Sequence, residues 1–214
     1  MSRAVIWDVD GTLVDSEEYH WLSWRDAMAA EGSPITFEQF RASFGLRNDR
    51  ILRGWLGPET TDDLIRRVGD AKEEEFRRLA RARGLSPLAG AAEWVARLHA
   101  EGWKQAIGSS APRLNVDVTL RVLKLDRFFD EIVSAEDVTI GKPDPQVFLT
   151  AAARLGVPPA RCVVVEDAVL GVEAARRGGM RSVGVSRATR LDADVYVRSL
   201  ADLPDDAFDT LIEP

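Results

Sequence analysis

Val5-Ile6-Trp7-Asp8-Val9-Asp10-Gly11-Thr12-Leu13-Val14-Asp15 is the stretch from which the remainder of the chain is read. Ala4 to Trp7 is a short apolar run with β-branched residues, the length of a buried strand and too short for a helix. It runs into two carboxylates two positions apart and then a glycine free to take unusual backbone angles. Alternation along a straight strand gives Asp8 and Asp10 a common direction; the reading adopted here frays the strand after Asp8 and leaves Asp10 over the same cleft from the loop. Paired carboxylates are costly unless a cation, a shared proton or a substrate compensates them. The plainer alternative is an Asp-Gly turn closing an ordinary strand, and it is the rest of the chain that decides between the two.

The 214 residues suit one large domain, or a core with a smaller insert, and 45% hydrophobic content is ample for a buried core. A balance of 28 basic against 35 acidic residues gives −7, which argues against a general nucleic-acid binder but not against a small phosphorylated ligand at a local site. The single cysteine, Cys162, has no internal partner and lies in an apolar run, as a core residue of a reducing compartment would. No apolar segment reaches membrane-span length, and the first residues read as a strand and not as a signal sequence. The expectation is a soluble, cytoplasmic chain without membrane or nucleic-acid partners, and a monomer.

Downstream, Ser16 caps an expected helix to about Ala30, and Thr36-Phe37-Glu38-Gln39 has the form of a capping box. Gly45 to Arg50 reads as a polar loop before a short helix ending near Leu56, and Thr60 or Thr61 opens a long helix carrying Lys72, Phe76 and Leu79. No strand is predicted from Val14 to Ala82. Beyond Gly84 the texture changes to alternating strands and helices: strands at 104–108, 131–134, 161–165 and 181–185, helices between them, then an edge strand at 195–197 and a closing helix near 205–211. Such alternation implies a parallel sheet with helices on both faces, a three-layer Rossmann-like α/β core. The expected division is a core of residues 1–15 plus 85–214, with an all-helical insert at 16–84. In these sheets ligands bind at the carboxyl ends of the strands.

Four polar clusters fall at those ends: Asp8/Asp10, Ser109/Ser110, Lys142 in Gly141-Lys142-Pro143-Asp144-Pro145, and Glu166/Asp167. Converged, the acidic residues bring up to four negative charges together. At ~4 Å and an effective dielectric of ~20, each like-charge pair costs about 4 kcal/mol, so a few pairs rival the stability of a whole domain. Lys142 answers one charge, and an all-oxygen donor set without histidine or cysteine points to Mg²⁺ for the others. As chemistry the set suits phosphoryl transfer. One carboxylate attacks phosphorus, a second protonates the leaving oxygen and activates water, and lysine, hydroxyl and metal hold the phosphoryl oxygens.

These four motifs, in this order, with a helical insert after the first, resemble the haloacid dehalogenase superfamily, and Asp15-Ser16-Glu17-Glu18-Tyr19-His20 with Trp24-Arg25 resembles its beta-phosphoglucomutase-like subgroup. The resemblance implies Asp8 as nucleophile and Asp10 as general acid/base, its backbone carbonyl also meeting Mg²⁺. It further implies Ser109 and Lys142 as phosphoryl holders, Asp167 as metal ligand, and Glu166 as ligand or close neighbour. The insert becomes a mobile cap supplying His20, Arg47, Asn48 and Lys72, while Gly11, Thr12 and Ser110 complete the substrate contacts. The implied activity is hydrolysis of a small phosphorylated metabolite, a sugar phosphate, with a phosphohexomutase as the alternative. A phospho-aspartate switch also combines acidic residues, a hydroxyl and a lysine on a parallel sheet, but it lacks the helical insert. Trp21, Trp24 and Trp55 are expected to pack the cap, one of them lining the cavity. Arg50 is a further substrate-phosphate candidate, and His99 a surface residue.

Overall fold

The computed structural model describes residues 2–212. Five parallel pairings join six strands in the order β3-β2-β1-β4-β5-β6, the strands being β1 (Ala4–Trp7), β2 (Lys104–Gly108), β3 (Glu131–Val133), β4 (Cys162–Glu166), β5 (Arg181–Val185) and β6 (Val195–Val197). β1 is central, flanked by β2 and β4, and is covered on both faces. Its period-two alternation sorts the two apolar layers. Val5 and Trp7 join Val163, Val165, Trp94, Leu98 and Phe208 on one face; Ala4 and Ile6 join Cys162, Val164, Phe148 and Ala151 on the other. The first face is covered by α5 (Ala91–Ala100), α6 (Arg113–Leu123) and α9 (Ala207–Ile212), and the second by α7 (Gln146–Leu155) and α8 (Val169–Arg177). Ala4–Trp7 and the first four residues of β4 are uninterrupted apolar runs because both faces of the sheet are buried.

Between β1 and β2 the chain makes α1 (Glu17–Ala30), α2 (Phe37–Ser43), α3 (Asn48–Leu56) and α4 (Asp62–Arg83). These helices pack a separate apolar cluster of Trp24, Met28, Phe40, Ile51, Leu52 and Val68. The chain leaves and returns side by side: Leu88 N–H donates to the Leu13 carbonyl at 3.0 Å, and Val14 bridges to Pro87.

Local physics departs from the sequence reading at a few ends. The Thr36–Gln39 capping box forms, but Ser16, at the N-cap of α1, makes no capping bond, because its hydroxyl is engaged elsewhere. α3 begins at Asn48, inside the expected polar loop. β4 runs one residue later than expected and includes Glu166, β3 stops at Val133, and the last helix begins at Ala207. Cys162 is fully buried, and among the described residues no helix is long and apolar enough to cross a membrane.

Candidate active site

β1 ends at Trp7, and Asp8 N–H donates to the Val165 carbonyl at 3.0 Å, so Asp8 is fixed at the strand's carboxyl end next to β4. The Val9 carbonyl then receives the N–H groups of Thr12, Leu13 and Val14, a tight turn that Gly11 completes at φ +86°. Val9 stays in the core layer of Val5 and Trp7, which leaves Asp8 and Asp10 on the opposite side of the backbone. The strand does end where the sequence suggests, and Asp10 reaches the cleft from the loop.

Lys142 joins the first and last motifs. Its buried ammonium donates to Asp8 Oδ1 at 2.6 Å and to Glu166 Oε1 at 2.5 Å. Burial opposes the charge on Lys142, but the two carboxylates outweigh burial and raise its pKa. Asp8 moves the other way: burial dominates, Glu166 and Asp10 repel, and despite Lys142 its carboxyl is pushed up to about 7. Asp167 is likewise raised well above the carboxylate range, by burial first and then by Glu166 and Asp8. Oxygens of Asp8, Glu166 and Asp167 lie within 4.8 Å of one another. One lysine therefore faces three carboxylates, a surplus of negative charge on hard oxygen donors, and that donor set fits Mg²⁺. Glu166 is the most committed of the three, since its second oxygen takes the Ala168 N–H at 2.9 Å. A Cβ on Gly171 would fall inside its carboxyl group.

Asp10 is built differently. Its Oδ1 accepts the Ser16 hydroxyl at 2.6 Å and meets His20 Nε2 at 3.0 Å. His20 Nδ1 faces Lys72 Nζ at 2.9 Å, and the ring stacks on Phe76 with centroids 4.2 Å apart. An ammonium can only donate, so Lys72 fixes His20 with its proton on Nε2, pointed at Asp10. Burial would raise Asp10, but His20, Ser16 and Lys72 outweigh it and hold the carboxyl below its ordinary range. The two aspartates of one turn thus have pKa values pushed in opposite directions.

These groups line a cavity of about 290 Å³ together with Ser109, Ser110, Asn48 and Glu73. Ser109 Oγ accepts the Ala111 N–H at 3.0 Å, which leaves its own proton free for a ligand. Trp24, Phe40, Phe44 and Ile51 of the insert form the apolar wall; Trp24 is the lining tryptophan, while Trp21 and Trp55 pack behind it. Three expected contacts stand elsewhere. Gly11 and Thr12 lie off the cavity wall, against Asp167: a Cβ on Gly11 would collide with that carboxylate, and the Thr12 hydroxyl is 3.4 Å from it. Arg47 also lies off the wall, because its guanidinium donates to the Ala135 and Val138 carbonyls at 3.1 and 3.0 Å. The Asp10 carboxylate is not one of the clustered metal-type oxygens. Arg50 and His99 are exposed.

Sequence reasoning missed Ser16 and Glu73. Ser16 was read as a helix cap. Glu73 sits in the run Glu73-Glu74-Glu75, which reads as a solvated face, yet 72, 73, 76, 79 and 80 form one buried stripe of α4 at helical spacing.

A profile of haloacid dehalogenase-like hydrolases matches residues 2–179. The chain is 34% identical over 210 residues to beta-phosphoglucomutase of Bacillus subtilis, covering 94% of this chain and 91% of that one. It is 33% identical over 216 residues to hexitol phosphatase B of Escherichia coli, covering 94% and 93%. Among solved structures, CbbY from Rhodobacter sphaeroides in complex with xylulose-(1,5)bisphosphate superposes with TM-score 0.87 at 26% identity, over 95% of this chain and 96% of that one.

Proposed function

The chain belongs to the haloacid dehalogenase-like hydrolases, and on that premise we propose that it is a Mg²⁺-dependent phosphatase of a small sugar phosphate, working through an aspartyl-phosphate on Asp8. The observation that carries the reading is the division of labour in one turn: Asp8 on Lys142, Asp10 on Ser16 and His20. The cavity, about 290 Å³, is at the small end of ligand sites, which run to roughly 300–1,000 Å³, and suits a metabolite and not a macromolecule.

In the first half-reaction an Asp8 carboxylate oxygen bonds to phosphorus as the phosphorus–ester oxygen bond breaks, and Asp10 gives its proton to the departing oxygen. Asp10 rests as a carboxylate; the negative charge that the substrate's phosphoryl group adds nearby favours its taking up a proton from solvent water, and that proton is the one it delivers. In the second half, Asp10 takes a proton from water, the water oxygen bonds to phosphorus, and Asp8 leaves as a carboxylate with inorganic phosphate formed. Lys142 and the Ser109 hydroxyl hold phosphoryl oxygens throughout. Asp8 and Asp167, with the Asp10 carbonyl, would hold Mg²⁺, and Glu166 positions Lys142 beside them. The bound ion supplies charge neutralisation for the phosphoryl oxygens. The helical insert acts as the cap that excludes bulk water and selects the substrate.

The beta-phosphoglucomutase relative keeps a phosphohexomutase in view, in which the phosphoryl group returns to a sugar. Such a cycle passes through a sugar carrying two phosphates, so the second phosphate needs its own cation. Among the described residues, Lys142 already serves the transferred phosphoryl group, Lys72 is held by Glu73 and His20, and Arg47 is turned to main-chain carbonyls. This favours the phosphatase. Phosphate release across a panel of sugar phosphates, with Mg²⁺ or EDTA and with Asp8→Asn alongside, tests it. Metal-dependent release lost in the variant is the expected result. Conversion of a hexose 1-phosphate to the 6-phosphate without net release would replace it with the mutase, and release surviving Asp8→Asn would remove the nucleophile.

A further inference from the structure

Glu73 is buried and charged, and the chemistry above does not use it. Lys72 and Glu73 are 3% and 5% exposed, and adjacent helix residues do not ordinarily face one another. Here Lys72 Nζ is nevertheless 2.9 Å from Glu73 Oε1. The same oxygen accepts Asn48 Nδ2 at 2.7 Å, within the insert. The other oxygen leaves the insert and accepts a short hydrogen bond from Asn115 Nδ2, on α6 of the sheet core. Arg77, one turn further along α4, donates to the carbonyl end of the same carboxamide at 2.9 Å. α4 therefore reads both ends of the Asn115 side chain, acceptor to donor and donor to acceptor.

From Asn115 the contacts run through Glu73 to Lys72, from Lys72 to His20 Nδ1, and from His20 Nε2 to Asp10. The path begins on the core, crosses the insert and returns to the core at the acid/base group. We propose that Glu73 and Asn115 form a latch between insert and core, and that Glu73 is a positioning residue which sets Lys72, and through it His20, on Asp10. The inference rests on the reading of Asp10 given above. Lys72 is buried, and Glu73 supplies the carboxylate that holds its ammonium in place. With the insert displaced, Glu73 loses Asn115 and Asp10 loses His20 in the same movement, so docking and assembly of the acid/base group are one event.

The test is a donor–acceptor exchange. Asn115→Asp sets a carboxylate against Glu73 and is expected to lower kcat/KM on the order of 10- to 100-fold, the scale of an ångström-sized misplacement. Glu73→Gln loses a comparable amount. The double variant Glu73→Gln/Asn115→Asp restores a hydrogen bond between the two positions and keeps Arg77 paired, so it recovers activity relative to Asn115→Asp alone. Losses that multiply, or an Asn115→Asp protein with wild-type kcat/KM, would overturn the latch. A second readout is independent of turnover. The chain has two histidines, His20 and the exposed His99, which serves as internal reference. Imidazole ¹⁵N shifts should report a single Nε2–H tautomer for His20 in the wild type. A tautomer mixture like that of His99 is expected in Glu73→Gln. An unchanged His20 signature in folded Glu73→Gln would refute the positioning role. Thermal melts establish that each variant is folded, and loss of metal-dependent phosphate release in Asp8→Asn tests the underlying phosphatase separately.

Discussion

Gly171→Ala is a substitution that helix propensity and the structure judge oppositely. The residue lies in the first turn of α8 with an ordinary helical backbone, so propensity alone predicts a gain of about 0.5–1 kcal/mol from removing glycine's excess freedom. The new methyl, however, would occupy the space of the Glu166 carboxyl group. Glu166 cannot yield cheaply, because one oxygen holds Lys142 and the other the Ala168 N–H. Hydrogen bonds to charged groups contribute about 1.5–3 kcal/mol each, so losing both costs roughly 3–6 kcal/mol, and the net expectation is a destabilisation of about 2–5 kcal/mol. Lys142 would also lose one of its two anchors, and turnover should fall with stability. Urea unfolding at neutral pH, paired with metal-dependent phosphate release, measures both. A variant as stable as wild type, or more so, with turnover intact would mean that the carboxyl has room to move and that Glu166 does not hold Lys142.

Other expectations follow from single contacts. Burial raises the Glu73 carboxyl, but Lys72, His20 and Asn48 outweigh burial and leave it below its ordinary 4.5. Its contribution to stability is therefore complete above pH ~4.5 and lost as pH falls through the folded value, so the stability gap between wild type and Glu73→Gln should close on acidification. A constant gap in urea unfolding from pH 7 to 3 would contradict this. Burial pushes the Cys162 thiol up to about 11, which leaves about one thiolate in a thousand at pH 8. Thiol reagents should label it only on unfolding, and fast labelling of the native protein would be the contrary result. Gln105, fully buried on β2, accepts the Trp7 Nε1–H and donates to the Val95 carbonyl, each at 2.9 Å. Gln105→Met leaves the Trp7 Nε1–H buried without a partner, the Val95 carbonyl keeping its bond within α5, and should cost about 1–3 kcal/mol in thermal or urea unfolding, with no change expected if water replaces the amide.

The sheet was legible because its signals are local. Lys104–Gly108 and Arg181–Val185 are short segments with apolar ends bounded by turns, and each forms the expected strand to the residue. The convergence of Asp8, Lys142 and Glu166 was legible for a different reason: strand ends in a parallel sheet share one edge, so position along the chain implied position in space. What was not legible is orientation. Ser16 occupies the cap position that its sequence suggests, but the nearby Asp10 carboxylate is a better acceptor than a helix end has to offer, and the hydroxyl turns there. Arg47 stands at the expected place along the insert, but its guanidinium finds two unused carbonyls and leaves the cavity. Glu73 was hidden by its neighbours, since three consecutive glutamates look solvated until the helical stripe of Phe76 and Leu79 is followed back to it.

Arg47 has a consequence for engineering. Its side chain passes close over Gly141, where an added Cβ would come within 2.9 Å of its Cδ, and ends on carbonyls of the segment that leads into Lys142. The helices between β1 and β2 are thus tethered to the loop that carries Lys142. Transplanting a relative's insert to change specificity would cut that tether, and the incoming helices would meet a loop shaped for a different side chain. Residues 135–141 therefore belong with the insert as one exchangeable unit, although α5, β2, α6 and β3 separate them along the chain.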